Sequence, residues 1–224
     1  MTQAIEQLPG AARASLSPAA EDIFRGLWAS LFYSGRTMGK SVMICSAGRG
    51  EGASTIACGL ALAGSTPAGA DRVALVDLNL RDPAVHRMMG ARANPGVAEI
   101  IVDGLPPESA AQRINTSLDI YPIGDGSQRR LEVLRSKQLP AFLSMLCDGY
   151  DRVLVDVAAV NHYPDAQILT GAVKDAVLVA HTNQTPREAV AQAKKRLEAG
   201  GARLAGLVLN LRTYPIPRFL YRRV

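Results

Sequence analysis

Short apolar runs alternate along the chain with segments whose apolar residues recur every three or four positions. The runs are rich in Val, Leu and Ile, which is typical of strands buried on both faces. They predict strands at residues 41–45, 73–76, 118–121, 152–155, 176–180 and 207–209. The segments between them predict helices at residues 18–32, 55–62, 83–89, 96–102, 107–114, 131–147, 165–173 and 186–199, with the sixth interrupted near Pro140.

Local signals refine two of these helices. Asp82 precedes Pro83, so it is predicted to cap a helix that begins with proline. Thr185, followed by Pro186 and Glu188, predicts an N-cap with a capping box. The alternation as a whole predicts an α/β fold, in which a mainly parallel central sheet is covered by helices on both faces in three layers.

Polar residues follow several of the predicted strands directly. Asp77, Asp156 and Asn210 each come at the end of an apolar run, and a glycine-rich segment follows the run at 41–45. Ligands of open parallel sheets bind at the carboxyl ends of the strands. The sequence therefore predicts one site at this edge of the sheet.

The glycine-rich segment, residues 46–55, has the strand–turn–helix context of a phosphate-binding loop. Its glycines would let backbone N–H groups approach phosphates at the start of a helix. The template ends Gly-Lys-Ser/Thr, but Ala53 occupies the lysine position here, whereas Ser54 keeps the hydroxyl that binds Mg²⁺. The candidate nucleotide-binding residues of this loop are Gly48, Arg49, Gly50, Glu51, Gly52, Ala53, Ser54 and Thr55.

Magnesium would be held by Ser54 together with the strand-end carboxylates Asp77 and Asp156. Each aspartate alone is also typical of a turn or a helix cap, and only their convergence on one loop favours a metal site. Losing a preorganised contact such as the lysine costs about 3 kcal/mol, roughly a hundredfold in rate. Arg49 could supply a substitute cation, although exposed arginines more often point to solvent.

The same residues fit a second motif. Residues 48–53 match G-x-G-x-x-G/A, the dinucleotide fingerprint, and Asp77 follows 24 residues after Ala53, near the distance expected of a ribose-binding acid. An NAD(P)-binding protein is therefore an alternative, and Ala53 suits it better than it suits a phosphate-binding loop.

Composition adds expectations about the ends of the chain. The 224 residues carry a net charge of +5, no apolar run approaches the roughly 20 residues of a membrane span, and the first residues do not resemble a secretory signal. We expect a flexible arm at 1–19, one domain at 20–212 and a basic tail at 213–224. The tail either is solvated or touches an anionic surface, such as membrane lipid or an acidic partner.

Five segments, in order and spacing, resemble the motifs of bacterial tyrosine kinases, the P-loop modules of capsule and exopolysaccharide systems. They are residues 49–54, 76–83, 96–101, 150–159 and 206–210. The resemblance implies a P-loop NTPase-like fold of the type shared with partition and cell-division-site ATPases, ATP or ADP with Mg²⁺ as ligands, and adenine contact by Asn210. If the protein is active, it also implies Asp77 as the catalytic base.

The departures from the family fall at functional positions. Ala53 replaces the lysine, Asn79 replaces the second aspartate of the Asp-x-Asp pair, and residues 157–159 replace Thr-Pro-Pro. The oligomerisation pattern survives only in part at residues 22–28, and the C-terminal phosphoacceptor cluster is reduced to Tyr214 and Tyr221.

Together the motifs and their losses predict a kinase-like regulator or scaffold of exopolysaccharide biosynthesis and export without kinase activity. The alternative is an active tyrosine autokinase or a weak ATPase. The expected partner is a membrane polysaccharide co-polymerase, with a homo-oligomer possible and nucleic acid excluded. The expected location is the cytoplasm, at the periphery of the inner membrane, reached through the partner or the basic tail.

Overall fold

The computed structural model describes residues 5–7, 14–35, 37–66 and 71–212. A seven-stranded sheet forms its centre, and its strands are β3 (Ser41–Ser46), β4 (Val73–Leu78), β5 (Gln112–Asn115), β6 (Leu118–Tyr121), β7 (Arg152–Val157), β8 (Asp175–His181) and β9 (Arg203–Asn210). A separate two-stranded antiparallel sheet joins β1 (Ile5–Gln7) to β2 (Ala14–Leu16).

Helices cover both faces of the large sheet. They are α1 (Pro18–Phe32), α2 (Ala53–Gly64), α3 (Val85–Met88), α4 (Val97–Asp103), α5 (Pro107–Ala110), α6 (Arg130–Arg135), α7 (Gln138–Gly149), α8 (Asp165–Leu169) and α9 (Arg187–Ala199). Two apolar cores result, one on each face. The three-layer α/β fold predicted from the apolar runs is confirmed.

The strand order is β5-β6-β4-β7-β3-β8-β9, and every neighbouring pair is parallel except β5 with β6. The central strand β3 therefore lies between β7 and β8. All parallel strands end at one edge, where β3 leads into the glycine-rich loop. Side chains alternate between the cores, so that Val42 and Ile44 pack on the α1–α2 side and Met43 and Cys45 on the other.

Close packing of α1 against α2 depends on glycine. A Cβ atom added to Gly59 would lie 2.2 Å from the ring of Phe24, and one added to Gly64 would lie 2.4 Å from the ring of Trp28. Trp28 is 3% exposed. The last position of the weakened oligomerisation pattern at residues 22–28 is thus an intramolecular core residue.

Several predicted boundaries differ from the structure. The helix expected over 107–114 stops at Ala110, because residues 112–115 pair with β6 as an antiparallel edge strand. The helix expected from Pro83 begins at Val85, and Asp82 does not cap it. The expected interruption near Pro140 falls at residues 136–137, since proline is tolerated in the first turn of α7.

The predicted cap of α9 is also wrong. The N-cap residue is Pro186 and no side-chain cap is formed. Instead the Thr185 hydroxyl accepts a hydrogen bond from the His181 N–H at 2.9 Å and donates to Glu51 Oε1 at 2.6 Å. Thr185 therefore connects the loop after β8 to the glycine-rich loop.

The expected division into arm, domain and tail stays a prediction. Helix α1 begins at Pro18 and follows β2, which lies inside the segment expected to be an arm. The basic tail at 213–224, with Tyr214 and Tyr221, lies outside the described residues. Over the described ranges, no helix has both the length and the apolar character needed to cross a membrane.

Candidate functional site

The glycine-rich loop joins β3 to α2 at the carboxyl edge of the sheet. Gly50 and Gly52 have φ values of +74° and +88°, which residues with a side chain rarely adopt. A Cβ atom on Gly52 would lie 2.3 Å from Asn210 Nδ2, and that amide donates to the Glu51 carbonyl at 2.9 Å. Asn210 at the end of β9 thus contacts the backbone of the loop and leaves no room for a side chain at position 52.

A pocket of about 220 Å³ opens over this loop. It is lined by Ser46, Arg49, Gly50, Glu51, Gly52, Ala53, Ser54, Thr55, Asn79, Arg81, Asp82, Ala84, Met88, Val157, Ala158, Ala159 and Tyr163. Seven of the eight loop residues proposed from sequence line it, and Gly48 lines a neighbouring pocket of about 400 Å³. The first turn of α2, a 12-residue helix, begins at Ala53, so its unpaired backbone N–H groups make this end of the helix suited to an anion.

Ser54 and Asp156 meet directly beneath the loop. The Ser54 hydroxyl donates to Asp156 Oδ2 at 2.5 Å, and Asp156 is fully buried. Its other oxygen, Oδ1, is buried without a hydrogen-bond partner among the described residues. A buried carboxylate oxygen with no partner is costly unless a cation or donor satisfies it, so this pair fits a Mg²⁺ ion bound beside phosphate.

Asp77 lies beside Asp156 in register across the β4–β7 pair. Its carboxylate accepts hydrogen bonds from the N–H groups of Asn79 at 3.0 Å and Val85 at 3.2 Å. Burial raises the pKa of Asp77 to about 7. Burial, and then the neighbouring Asp77, raise the pKa of Asp156 well above its usual value.

Two buried acids side by side favour a cation between the sheet and the loop. Over the described residues, no three His, Cys, Asp or Glu side chains are arranged to hold a metal by themselves. Mg²⁺ in nucleotide sites usually takes one or two protein ligands, phosphate oxygens and water. Ser54 and Asp156, with Asp77 next to them, provide this small number of protein ligands.

The structure adds three residues that sequence reasoning did not propose for the site. Arg81 lines the pocket and forms a bidentate ion pair with Asp165, at 2.9 Å from Nε and 2.8 Å from Nη2. Its guanidinium also lies 4.5 Å from the centre of the Tyr163 ring. Arg81 lies in the segment 76–83 that resembles a motif of the family, so the sequence could have indicated it. Asp165 and Tyr163 lie more than 80 residues away, and no motif pointed to them.

The lysine position is filled by a small buried side chain. Ala53 is 8% exposed at the first residue of α2. Among the described residues that line the pocket, the cations are Arg49, which is exposed, and Arg81. The Glu51 side chain is held towards the loop after β8, because its Oε1 accepts a hydrogen bond from the Thr185 hydroxyl.

The topology does not fit the dinucleotide alternative. In the dinucleotide fold, the strand that follows the glycine-rich turn and its helix lies directly beside the first strand. Here α2 leads to β4, and β7 separates β4 from β3. Asp77 in β4 is therefore separated from the loop strand by β7, whereas a ribose-binding acid lies on the strand directly beside it.

Comparison with known proteins finds relatives that are similar in sequence and in structure. The chain is 33% identical over 172 residues to the tyrosine-protein kinase YwqD of Bacillus subtilis, a match that covers 76% of this chain and 72% of that protein. The chimerical protein CapA2B2 has a similar structure, with a TM-score of 0.78 and 26% identity over 88% of this chain and 87% of that one. No protein-family model matches the chain.

A solved structure of lower sequence identity is evidence for the fold alone. The septum site-determining protein MinD of Pyrococcus horikoshii, solved with Mg-ADP, has a TM-score of 0.67 and 20% identity, covering 83% of this chain and 76% of that chain. Its fold is the P-loop ATPase type that the motifs of this sequence imply. The expectation of a P-loop NTPase-like α/β fold is confirmed.

Proposed function

The chain belongs to the bacterial tyrosine kinase family, and from that premise we propose that it is a regulatory member that binds nucleotide weakly and transfers no phosphoryl group. The observation that carries this proposal is Ala53, a buried methyl group at the position where the loop template has lysine. The rest of the loop retains the geometry of an anion site.

Binding would use groups that the fold already orients. Backbone N–H groups of the loop and of the first turn of α2 would donate to phosphate oxygens. Ser54 and Asp156 would hold Mg²⁺, which supplies positive charge against the phosphates when it is bound. Asn210, the residue to which the resemblance assigns adenine contact, lies against the backbone of the loop.

Transfer would fail for two reasons. The lysine that offsets charge on the transferred phosphate is absent, and one such contact is worth a hundredfold or more in rate. Asn79, in place of the second aspartate, cannot take a proton, and its Oδ1 faces the backbone N–H groups of Arg81 and Asp82 at 3.4 and 3.2 Å. The position of the family's second acid is used to hold a turn.

The proposed setting is exopolysaccharide biosynthesis and export. The chain would act in the cytoplasm at the inner membrane, as regulator or scaffold of a membrane co-polymerase. The motif resemblance supports this setting, as does the similarity to the tyrosine-protein kinase YwqD. In this role nucleotide would change the state of the complex by binding and release.

The proposal predicts that purified full-length protein incubated with Mg-ATP acquires no phosphotyrosine. Ala53→Lys, which restores the loop cation, should tighten ADP binding by about 10- to 100-fold, as expected for one charge-assisted phosphate contact. Ala53→Gln is the matched control, since it adds a similar length without charge and should give no such gain. Titration calorimetry and mass spectrometry of Tyr214 and Tyr221 are the measurements.

Phosphorylation of either tyrosine by the wild-type chain would overturn the proposal and establish the active-kinase alternative. An equal gain from Ala53→Lys and Ala53→Gln would show that the missing charge does not limit binding. Steady ATP hydrolysis without phosphotyrosine would instead identify a weak ATPase.

A further inference from the structure

Arg81 is the most rigidly held cation that lines the pocket. Two of its guanidinium nitrogens bind the two oxygens of Asp165, whose side chain is completely buried. The planar group is also stacked on the ring of Tyr163, with 4.5 Å between the guanidinium carbon and the ring centre. These contacts fix the guanidinium against both rotation and displacement.

The third nitrogen of this guanidinium, Nη1, takes no part in the ion pair. No hydrogen bond joins Arg81 Nη1 to any of the described residues. The side chain is 26% exposed and lines the pocket together with Gly50, Gly52 and Ser54. Its remaining N–H groups are therefore available to a ligand, and a phosphate oxygen is the partner that guanidinium geometry suits best.

Arg49 differs in each of these respects. It is exposed and has no hydrogen bond or ion pair with the described residues. An exposed, unrestrained arginine would have to lose side-chain freedom on binding, at about 0.5–1.5 kcal/mol for such a side chain. Arg81 has already lost that freedom to Asp165 and Tyr163.

We propose that Arg81 is the phosphate-binding cation of this site and replaces the lysine that the loop lacks, with Asp165 and Tyr163 as its positioning residues. The inference rests on the proposed function, because it assumes that the pocket takes a phosphate-bearing ligand. The ion pair with Asp165 partly offsets the charge of Arg81. That cation therefore binds a phosphate group without offering the full charge that a transferred phosphoryl group requires.

The test needs variants that remove the cation without stranding a buried carboxylate. Arg81→Gln alone leaves Asp165 buried and unpaired, which is strongly destabilising. The double variant Arg81→Gln/Asp165→Asn removes both charges and keeps two hydrogen-bonding amides. A matched control exists at the opposite end of the sheet, where Arg113 binds Asp119 in the same bidentate form, at 2.9 and 3.2 Å.

Titration calorimetry of the full-length chain with pyrophosphate and with Mg-ADP is the measurement, with adenosine as the probe that lacks phosphate. We expect Arg81→Gln/Asp165→Asn to weaken pyrophosphate and ADP binding by about 10- to 100-fold. Adenosine binding should stay unchanged. Arg113→Gln/Asp119→Asn should leave all three affinities within about twofold of wild type, and Arg49→Gln should weaken binding by less than about threefold.

Arg81→Lys supplies a second readout. Lysine can pair with Asp165 as a point charge but cannot hold it at two atoms and also present free N–H groups. We expect this variant to fold and to bind pyrophosphate about as weakly as the double variant.

Unchanged pyrophosphate affinity in the Arg81 double variant would overturn the assignment, as would a larger loss in Arg49→Gln. Absence of any pyrophosphate or ADP binding by wild type would also overturn it. Phosphotyrosine formation by wild type would overturn the proposed regulatory function and leave the role of Arg81 standing.

Discussion

The two buried carboxyl groups beneath the loop determine how the site responds to pH. Burial raises the pKa of Asp77 to about 7, and burial plus Asp77 raises that of Asp156. The folded state therefore holds protons that the unfolded chain releases near pH 4. The stability that this pair contributes is complete below about pH 4 and is lost as pH rises through about 7.

Asp156→Asn removes one of these charges while keeping an oxygen for the Ser54 hydroxyl. We expect the variant to melt about 3–6 °C above wild type at pH 8, and the difference to shrink towards pH 5, where the pair is largely protonated. Thermal unfolding followed by circular dichroism measures this. Mg²⁺ should narrow the difference at pH 8, because it stabilises the wild-type carboxylates.

Asp119→Asn is the control for that experiment. Asp119 is also buried, but it faces Arg113 and the Tyr150 hydroxyl. Removing its charge weakens the hydrogen bonds that Asp119 accepts from Arg113 and from the Tyr150 hydroxyl, so the variant should melt below wild type at pH 8. The opposite result would be a melting temperature of Asp156→Asn below that of wild type by the same amount at pH 8 and at pH 5. It would disprove repulsion between the two carboxylates.

At single positions, the sequence identified the residues of the site that belong to the loop and to the strand-end motifs. Ser54 and Asp156 do meet, because the loop and Asp156 both lie at the carboxyl edge of the same parallel sheet, with Asp156 next to the last residue of β7 and Ser54 at the start of α2. The Arg81–Asp165 pair was not foreseen. A motif describes residues close in sequence, and the partner of Arg81 comes from a helix whose approach depends on the whole fold.

Among the elements, uninterrupted apolar strands were the easiest to predict, and short elements at the edge the hardest. Residues 112–115 form a strand because their backbone pairs with β6, although Pro107 and the following residues favour a helix. Tertiary pairing decides such a segment, since its intrinsic preference is small. Likewise α3 begins at Val85, whose N–H donates to the carboxylate of Asp77, a contact that the local sequence around Pro83 does not reveal.

The α1–α2 contact allows a prediction about a whole element. Gly59 and Gly26 both lie inside helices, so replacement by alanine should gain up to about 1 kcal/mol of helix propensity at each. A Cβ atom on Gly26 meets nothing within 4 Å, whereas one on Gly59 meets the buried ring of Phe24. Gly59→Ala should therefore be less stable than Gly26→Ala by about 1–3 kcal/mol.

Urea unfolding of both variants checks this. Both variants gain the same helix propensity, so the difference between their free energies of unfolding measures the cost of moving Phe24. The Phe24 side chain is 4% exposed and lies between the helices. Equal free energies of unfolding would mean that α1 shifts away from α2 at no cost, and that the glycine does not determine their separation.

At the scale of the molecule, the order of the strands places the site residues on adjacent central strands of the sheet. The neighbouring strands β4 and β7 carry Asp77 and Asp156 next to their carboxyl ends, and β3 leads into the loop. A ligand that bridges the loop and Asp156 therefore joins the central strands of one continuous sheet. Binding to such a site stabilises the whole folded state, by an amount set by ligand concentration relative to its Kd.

Thermal unfolding of the whole chain can therefore separate the ligand classes that fit the glycine-rich loop. At a concentration of ADP about 100 times its Kd, with Mg²⁺, the free energy of unfolding should rise by about 2.7 kcal/mol, and the melting temperature by roughly 5–10 °C. Without Mg²⁺ the rise should be smaller, because Ser54 and Asp156 act through the metal. NAD and NADP should give no rise, since β4 does not lie beside β3. A rise with NAD or NADP alone would contradict the phosphate-loop assignment and restore the dinucleotide alternative.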